Sequence, residues 1–381
     1  MEPDIEISLE EAFKKAEEGF RFIDIRDEDA VSYGIIPGAA PIPLPDLEKS
    51  TADLKRLPGV ILYCAKGLIS IDAARDMRAR GICAYSLKDG YAGYVMAQIN
   101  AEMDPGLQRE IEKGLQKRWH EKLFAPFSKA VKNYELVKEG DRIAVCISGG
   151  KDSMLMAKLF QELKRHKHCD FDLKFLVMDP GYSPENRQVI EHNARLLGIP
   201  ITIFETRIFD AVDRIDKSPC YMCARMRRGY LYKNAKALGC NKIALGHHFD
   251  DVIETILMGI LYSGQFQTMM PKLHSQNYEG MELIRPMYLV READIKRWRD
   301  ENGLHFIQCA CHFTDTCSVI SPGDRTGSKR LETKLLIAEM KKTNPYVEQH
   351  IFKSVENVYL DTIIAYKTKD KRHHFLDTYD L

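Results

Sequence analysis

Arg142-Ile-Ala-Val-Cys-Ile147 running into Ser148-Gly149-Gly150-Lys151-Asp152-Ser153 is the stretch on which the reading of this 381-residue chain turns. Five of the first six residues are apolar and three of them are β-branched, which predicts a buried strand. Leu155, Leu159 and Leu163 then recur at helical spacing, so the glycines lie between a strand end and a helix start. Two glycines let backbone N–H groups turn inward, serine hydroxyls add donors, and the helix N-terminus adds its positive dipole end. A polyphosphate fits such a loop. The spacing is not that of a Walker A motif.

Working outward, the alternation continues with strand 173–178, a helix to Leu197 stopped by Gly198, and strand 201–204. A helix from about 224 to Leu238, stopped by Gly239, leads to strand 242–246. Strands alternating with helices predict a doubly wound parallel sheet. Another helix is expected from Asp250 to about Tyr262. Residues 271–309 are less regular, and the last 60 read as helical with a polar tail from Lys367 to Leu381. Upstream, runs 21–25 and 60–63 and a helix over 70–80 ending at Gly81 predict a separate small α/β unit, closed off by Asp104-Pro105-Gly106. The expected organisation is 1–104, a basic helical linker 105–136, the larger α/β domain 137–320 and a helical extension 321–381. Arg109, Lys113, Lys117, Arg118, Lys122, Lys129 and Lys132 suit either a solvated linker or a surface that tracks phosphates.

Lys+Arg and Asp+Glu are 55 each, so any nucleic-acid site must be a local patch. No apolar run approaches the roughly 20 residues of a membrane span, and a cytoplasmic protein without membrane contact is expected. Ten cysteines in a reducing compartment point to thiol chemistry or metal ligation. Cys220-Tyr-Met-Cys223 stands where a helix begins, beside Arg225, Arg227 and Arg228, which favours thiolates. Alone, it is compatible with structural zinc, a redox dithiol, an iron–sulfur site or two small residues. Cys309-Ala-Cys311 offers further thiolates; four would close a zinc site, three would leave one iron of a cluster open. Cys64-Ala-Lys-Gly67 runs from strand to helix, a setting that favours an anionic persulfide. Cys83, Cys146, Cys169 and Cys240 are expected as buried structural thiols, and His247 and His248 as hydrogen-bonded loop residues.

Ser148–Ser153 resembles the PP-loop of the N-type ATP pyrophosphatases, which cleave ATP between the α- and β-phosphates and adenylate an oxygen of the substrate. The resemblance implies that Ser148, Gly149, Gly150 and Ser153 hold phosphates, that Asp152 organises the loop and its Mg²⁺, and that Met178 lies near the adenine. From about Leu107 to about Glu356, the Cys220–Tyr232 segment and Gly246-His-His-Phe-Asp-Asp251 resemble the tRNA 2-thiocytidine synthetase group and the related 2-thiouridine synthetases. Implied there are a [4Fe–4S] cluster on Cys220, Cys223 and Cys309, with Cys311 a substitute because the C-x-C departs from the group's C-x-x-C. Gly246 falls on the ATP side, Asp251 is implied as a catalytic or Mg²⁺-proximal carboxylate, and Arg227 as a contact to nucleotide or substrate. Residues 5–100 resemble rhodanese domains through Asp24-Ile-Arg26, Pro37-Gly-Ala39, Cys64 and Leu87–Tyr94. Ile35 stands where a histidine is usual, and Ile69 where many active loops carry arginine.

Together these resemblances imply a tRNA sulfurtransferase: ATP adenylates the C2 oxygen of a cytidine or uridine, and sulfur from a Cys64 persulfide replaces it. The implied partners are tRNA and a sulfur donor such as a cysteine desulfurase or thiosulfate. Dimers are common in the group, so a homodimer is an open expectation. Sulfuration of a small molecule, a PP-loop reductase of adenylyl-sulfate type and a zinc-bound RNA-binding module with an inactive rhodanese domain are the alternatives.

Overall fold

The computed structural model of the chain describes residues 4–32, 34–100, 106–167, 169–208, 219–306 and 329–379. A five-stranded, all-parallel sheet comes first, built from β1 (Glu6–Ile7), β2 (Arg21–Asp24), β3 (Ala40–Pro41), β4 (Val60–Tyr63) and β5 (Ala84–Leu87) in the order β1-β5-β4-β2-β3. Its central strand β4 is buried at every residue, as a continuous Val-Ile-Leu-Tyr run requires when both faces carry helices. The chain leaves β2 to one side and returns to the other through β4, so the switch point of this sheet lies between Asp24 and Tyr63.

A second sheet follows, with β6 (Arg142–Ile147), β7 (Asp172–Asp179), β8 (Ile201–Glu205), β9 (Lys242–Ala244), β10 (Lys272–His274) and β11 (Glu282–Ile284) in the order β10-β11-β9-β6-β7-β8. All neighbours are parallel except β10 and β11. The connection runs β6 to β7 to β8 on one side and then crosses to β9, which places the switch point between β6 and β9, where ligands of open α/β sheets bind. Gly81, Gly198 and Gly239 end their helices at positive φ, as the sequence predicted.

Three regions differ from the sequence reading. The irregular 271–309 stretch contains β10 and β11, each too short to show strand alternation, and helix Glu292–Glu301. The 107–132 segment is broken into Leu107–Gln116, a π-turn His120–Phe124 and Ala125–Asn133; Ile111, Leu115, Trp119, Leu123 and Phe127 are buried in the main core while all seven basic residues face solvent. Helices Lys329–Thr343 and Val347–Ser354 pack on helix Phe249–Ser263, with Phe249 stacked on Phe352 at 4.7 Å, but the tail beyond is not simply a polar extension. Ala365–Lys367 and Arg372–His374 pair as an antiparallel hairpin, Tyr366 stacked on His373, because Thr368 and Lys371 close a tight turn.

Candidate functional site

At the switch point of the second sheet, β6 ends in Ile147 and helix Lys151–Arg165 begins after Gly150. The Ser148 amide donates to Ser153 Oγ (3.1 Å), and Ser153 Oγ donates to the Gly150 carbonyl (3.0 Å), so the loop is closed by its own serines. Gly149 takes φ +86°, a conformation that favours glycine. Gly246, at the end of β9, faces the loop so closely that a Cβ there would lie 3.2 Å from the Ser153 amide nitrogen. Lys151 is buried and ion-paired to Asp152 (3.2 Å) and Glu292 (3.5 Å). Asp152 Oδ1 is buried with no hydrogen-bond partner, the chemistry of a ligand position for a hard cation. Met178 ends buried among Phe204, Ile208, Met226 and Leu231, beside the loop strand β6 on β7.

Asp251 caps helix Phe249–Ser263. It accepts the His248 amide (3.0 Å) through Oδ2 and Arg330 Nη1 (2.9 Å) through Oδ1, while its own amide donates to His248 Nδ1 (3.4 Å). Burial works to raise its pKa, but His248 and Arg330 outweigh this and hold the carboxylate below its usual range. Asp250 is tied to Arg291 and to the Glu292 amide. His247 is held neutral, its pKa pushed down by burial to about 4, and its Nδ1 has no partner. No cluster of metal-ligating side chains occurs among the described residues.

Four groups at this end escaped the sequence reading. Glu254, one helical turn after Asp251, is buried and its carboxyl is pushed up to about 7 by that burial. Arg330 Nε lies 3.5 Å from it, so one guanidinium bridges Asp251 and Glu254. Arg285 is buried, donates through Nη1 to the Met270 carbonyl, and is pushed down to about 10 by desolvation; its Nε has no partner. Glu292 gathers Lys151, Lys296 and Lys334, which overcome its desolvation and keep it ionised. Only Glu254 carried a local signal, its one-turn spacing from Asp251; the others arrive from distant parts of the chain.

Cys220 and Cys223 fall in the first turn of helix Pro219–Ala237, the helix start at which the sequence places them. Farther along, Arg225 and Arg228 are exposed and Arg227 is half-buried. Cys309, Cys311 and Cys317 lie outside the described residues. Cys146, pushed up to about 12 by burial, and Cys240, raised by the same cause, are buried as expected. Cys83 is not: it is exposed, because Ile82 and Ala84 on either side of it turn inward. Cys169 is only partly covered.

In the first sheet, Cys64 follows β4 at the switch point and is 6% exposed. The Ser70 hydroxyl stands 3.5 Å from Cys64 Sγ and 2.9 Å from Ser86 Oγ. Amides of Tyr91 and Ala92 donate to the carbonyls of Cys64 (2.9 Å) and Ala65 (3.0 Å), tying the loop to helix Gly90–Asn100. Gly90 has to be glycine: a Cβ there would meet the Cys64 carbonyl oxygen at 2.4 Å. Asp24 and Arg26 form a buried bidentate pair, and Arg26 also donates to the Gly34 carbonyl and lies 3.9 Å over the Tyr91 ring, so this arginine shapes the fold around the loop. Ile35 and Ile69 turn onto apolar cores, leaving Lys66 and a 70% exposed Leu68 on the loop's outer surface.

Residues 119–312 match the family model of the PP-loop domain, and residues 8–97 that of the rhodanese-like domain. The chain is 34% identical over 244 residues to a tRNA-cytidine(32) 2-sulfurtransferase of Anaeromyxobacter sp. (strain K), covering 63% of this chain and 80% of that protein. To a tRNA-cytidine(32) 2-sulfurtransferase of Pelobacter propionicus it is 35% identical over 234 residues, 61% of this chain and 83% of the relative. Among solved structures, the U34-tRNA thiolase NcsA from Methanococcus maripaludis with its [4Fe-4S] cluster aligns with a TM-score of 0.47 and 20% identity over 61% of this chain and 76% of that one. No helix among the described residues is long and apolar enough to cross a membrane. With its phosphate loop at the switch point and the family model covering residues 119–312, the chain belongs to the PP-loop family, and a rhodanese-like domain precedes its PP-loop domain.

Proposed function

We propose that the chain is an ATP-dependent tRNA sulfurtransferase that replaces the C2 oxygen of a pyrimidine with sulfur, cytidine being favoured by the names of its relatives. The observation that carries the reading is one chain holding both a phosphate loop whose buried Asp152 Oδ1 makes no hydrogen bond and lies 4.0 Å from His248 Nε2, and a strand-end cysteine at a second switch point. ATP binds with its phosphates on Ser148, Gly149, Gly150 and Ser153, its Mg²⁺ on Asp152 and its adenine by Met178 and Gly246. The C2 oxygen attacks the α-phosphorus and pyrophosphate leaves, which turns a poor leaving group into AMP. Arg227 contacts nucleotide or substrate, and Asp251, kept ionised beside Arg330, orders this end of the site.

Cys64 carries the incoming sulfur as a persulfide, accepted from a cysteine desulfurase or thiosulfate. A dithiol reductant supplies two electrons: the S–S bond breaks, hydrosulfide leaves, Cys64 returns as thiolate, and the dithiol becomes a disulfide with loss of one proton. The C2–S bond then forms as the C2–O bond to AMP breaks. A [4Fe–4S] cluster on Cys220, Cys223 and Cys309, or Cys311 in its place, would supply an open iron able to hold sulfide, and the position of Cys220 and Cys223 in the first turn of helix Pro219–Ala237 suits such ligation. Arg109, Lys113 and Lys117 track tRNA phosphates. The test is nucleotide analysis of anaerobic reactions with and without tRNA. AMP and pyrophosphate that appear only with tRNA support the reading; AMP formation indifferent to tRNA points to a small-molecule substrate and overturns it.

A further inference from the structure

Resting on the sulfur-relay reading above, we infer that Cys64 serves the PP-loop domain of its own chain, because the rhodanese-like domain is docked with its cysteine loop toward the carboxyl rim of the second sheet. The contacts form a closed path. Helix Gly90–Asn100, whose first turn holds the Cys64 loop through the Tyr91 and Ala92 amides, packs against helix Pro184–Leu196 of the PP-loop domain. Tyr94, 4% exposed, meets His305 edge to face at 5.7 Å. The His305 carbonyl accepts Asn193 Nδ2 (2.8 Å) from helix Pro184–Leu196.

Glu185, in the first turn of that helix, is within electrostatic reach of Lys66 on the cysteine loop. Since Pro184 follows the carboxyl end of β7 by only a few residues, Lys66 marks the side on which the loop lies: the side of the phosphate loop. Tyr94 and Val95 belong to one apolar cluster with Trp298, Leu304 and Phe306, so the docking is largely apolar and continuous with the core. An interface of this kind fixes two domains, whereas a swinging carrier needs a polar, separable one. Tyr94 and His305 are positioning residues in this arrangement; they touch no reacting atom.

Two measurements on the full chain test this. Photo-coupling of the wild-type protein with a short amine-reactive diazirine, followed by denaturing electrophoresis and peptide mass spectrometry, should link Lys66 to the first turn of helix Pro184–Leu196 in the band of single-chain mass, unchanged on tenfold dilution. A link from Lys66 to that helix confined to the doubled-mass band, or none at all, overturns the docking. Independently, Cys64→Ser and Asp152→Ala chains are co-expressed in cells lacking the gene. Transfer within one chain predicts thiolated pyrimidine below one-tenth of the wild-type level; restoration toward the level of one working pair shows transfer between chains and overturns the inference. If the wild-type gene itself yields no thiolated pyrimidine, the function reading falls and takes the transfer claim with it, while the coupling result still decides the docking.

Discussion

Glu254 is the residue whose ionisation most directly exposes the electrostatics of the nucleotide end. Its carboxyl is pushed up to about 7 in the fold from an unfolded value of 4.5, burial outweighing Arg330. Between those values the folded chain binds the proton more tightly than the unfolded chain. Stability from this group is therefore full below pH 4.5 and is lost as pH rises through 7, a change of roughly 3 kcal/mol at most. Glu254→Gln should be about 1–3 kcal/mol more stable than wild type at pH 8 and nearly equal at pH 5 by chemical denaturation; the same difference at both pH values would refute the assignment. Much at this scale was legible. The loop letters Ser148–Ser153 gave position and chemistry together, since glycine and serine there have few other uses at a strand end. Arg330 and Arg285 were not, because a guanidinium that closes a site from a distant segment leaves no local pattern.

Among the elements, the approach of the β9 end to the phosphate loop makes the sharpest demand. With a methyl at Gly246, 3.2 Å from the Ser153 amide and 3.3 Å from the Asp152 carbonyl carbon, the loop backbone has to shift. Overpacking of this kind costs about 1–3 kcal/mol. Gly246→Ala should lower the melting temperature by only a few degrees yet weaken binding of a non-hydrolysable ATP analogue by about tenfold, read by calorimetry. Unchanged affinity would remove Gly246 from the nucleotide site. Long elements were readable from periodicity, as with β6 and helix Lys151–Arg165, whose Leu155 and Leu159 are fully buried. The three-residue strands β10 and β11 and the Ala365–His374 hairpin were not, because alternation needs more residues than they have. Cys83 was misjudged for a related reason: at a strand's first step, one residue of register decides inside from outside.

For the whole molecule, a net charge of zero does not exclude a local basic row. Arg109, Lys113 and Lys117 recur every four residues on the outer side of helix Leu107–Gln116 and its cap, opposite buried Ile111 and Leu115. Each phosphate they neutralise contributes about 0.7–0.9 to the slope of log affinity against log salt. Replacing all three by glutamine should make the slope for tRNA shallower by roughly two while ATP binding stays unchanged; an unaltered slope would return this helix to a purely structural role. The two-domain plan was visible in the sequence as two separate strand and helix alternations. Their docking was not, since Tyr94 and His305 are unremarkable letters until the fold brings them together.

As proposed above, this chain puts sulfur into tRNA with ATP consumed in the step. Mass spectrometry of tRNA nucleosides from cells with and without the gene tests it most directly. The account predicts a 2-thiopyrimidine, 2-thiocytidine above all, that disappears without the gene and returns with the wild-type chain but not with Asp152→Ala; identical thionucleoside profiles in both strains would contradict it.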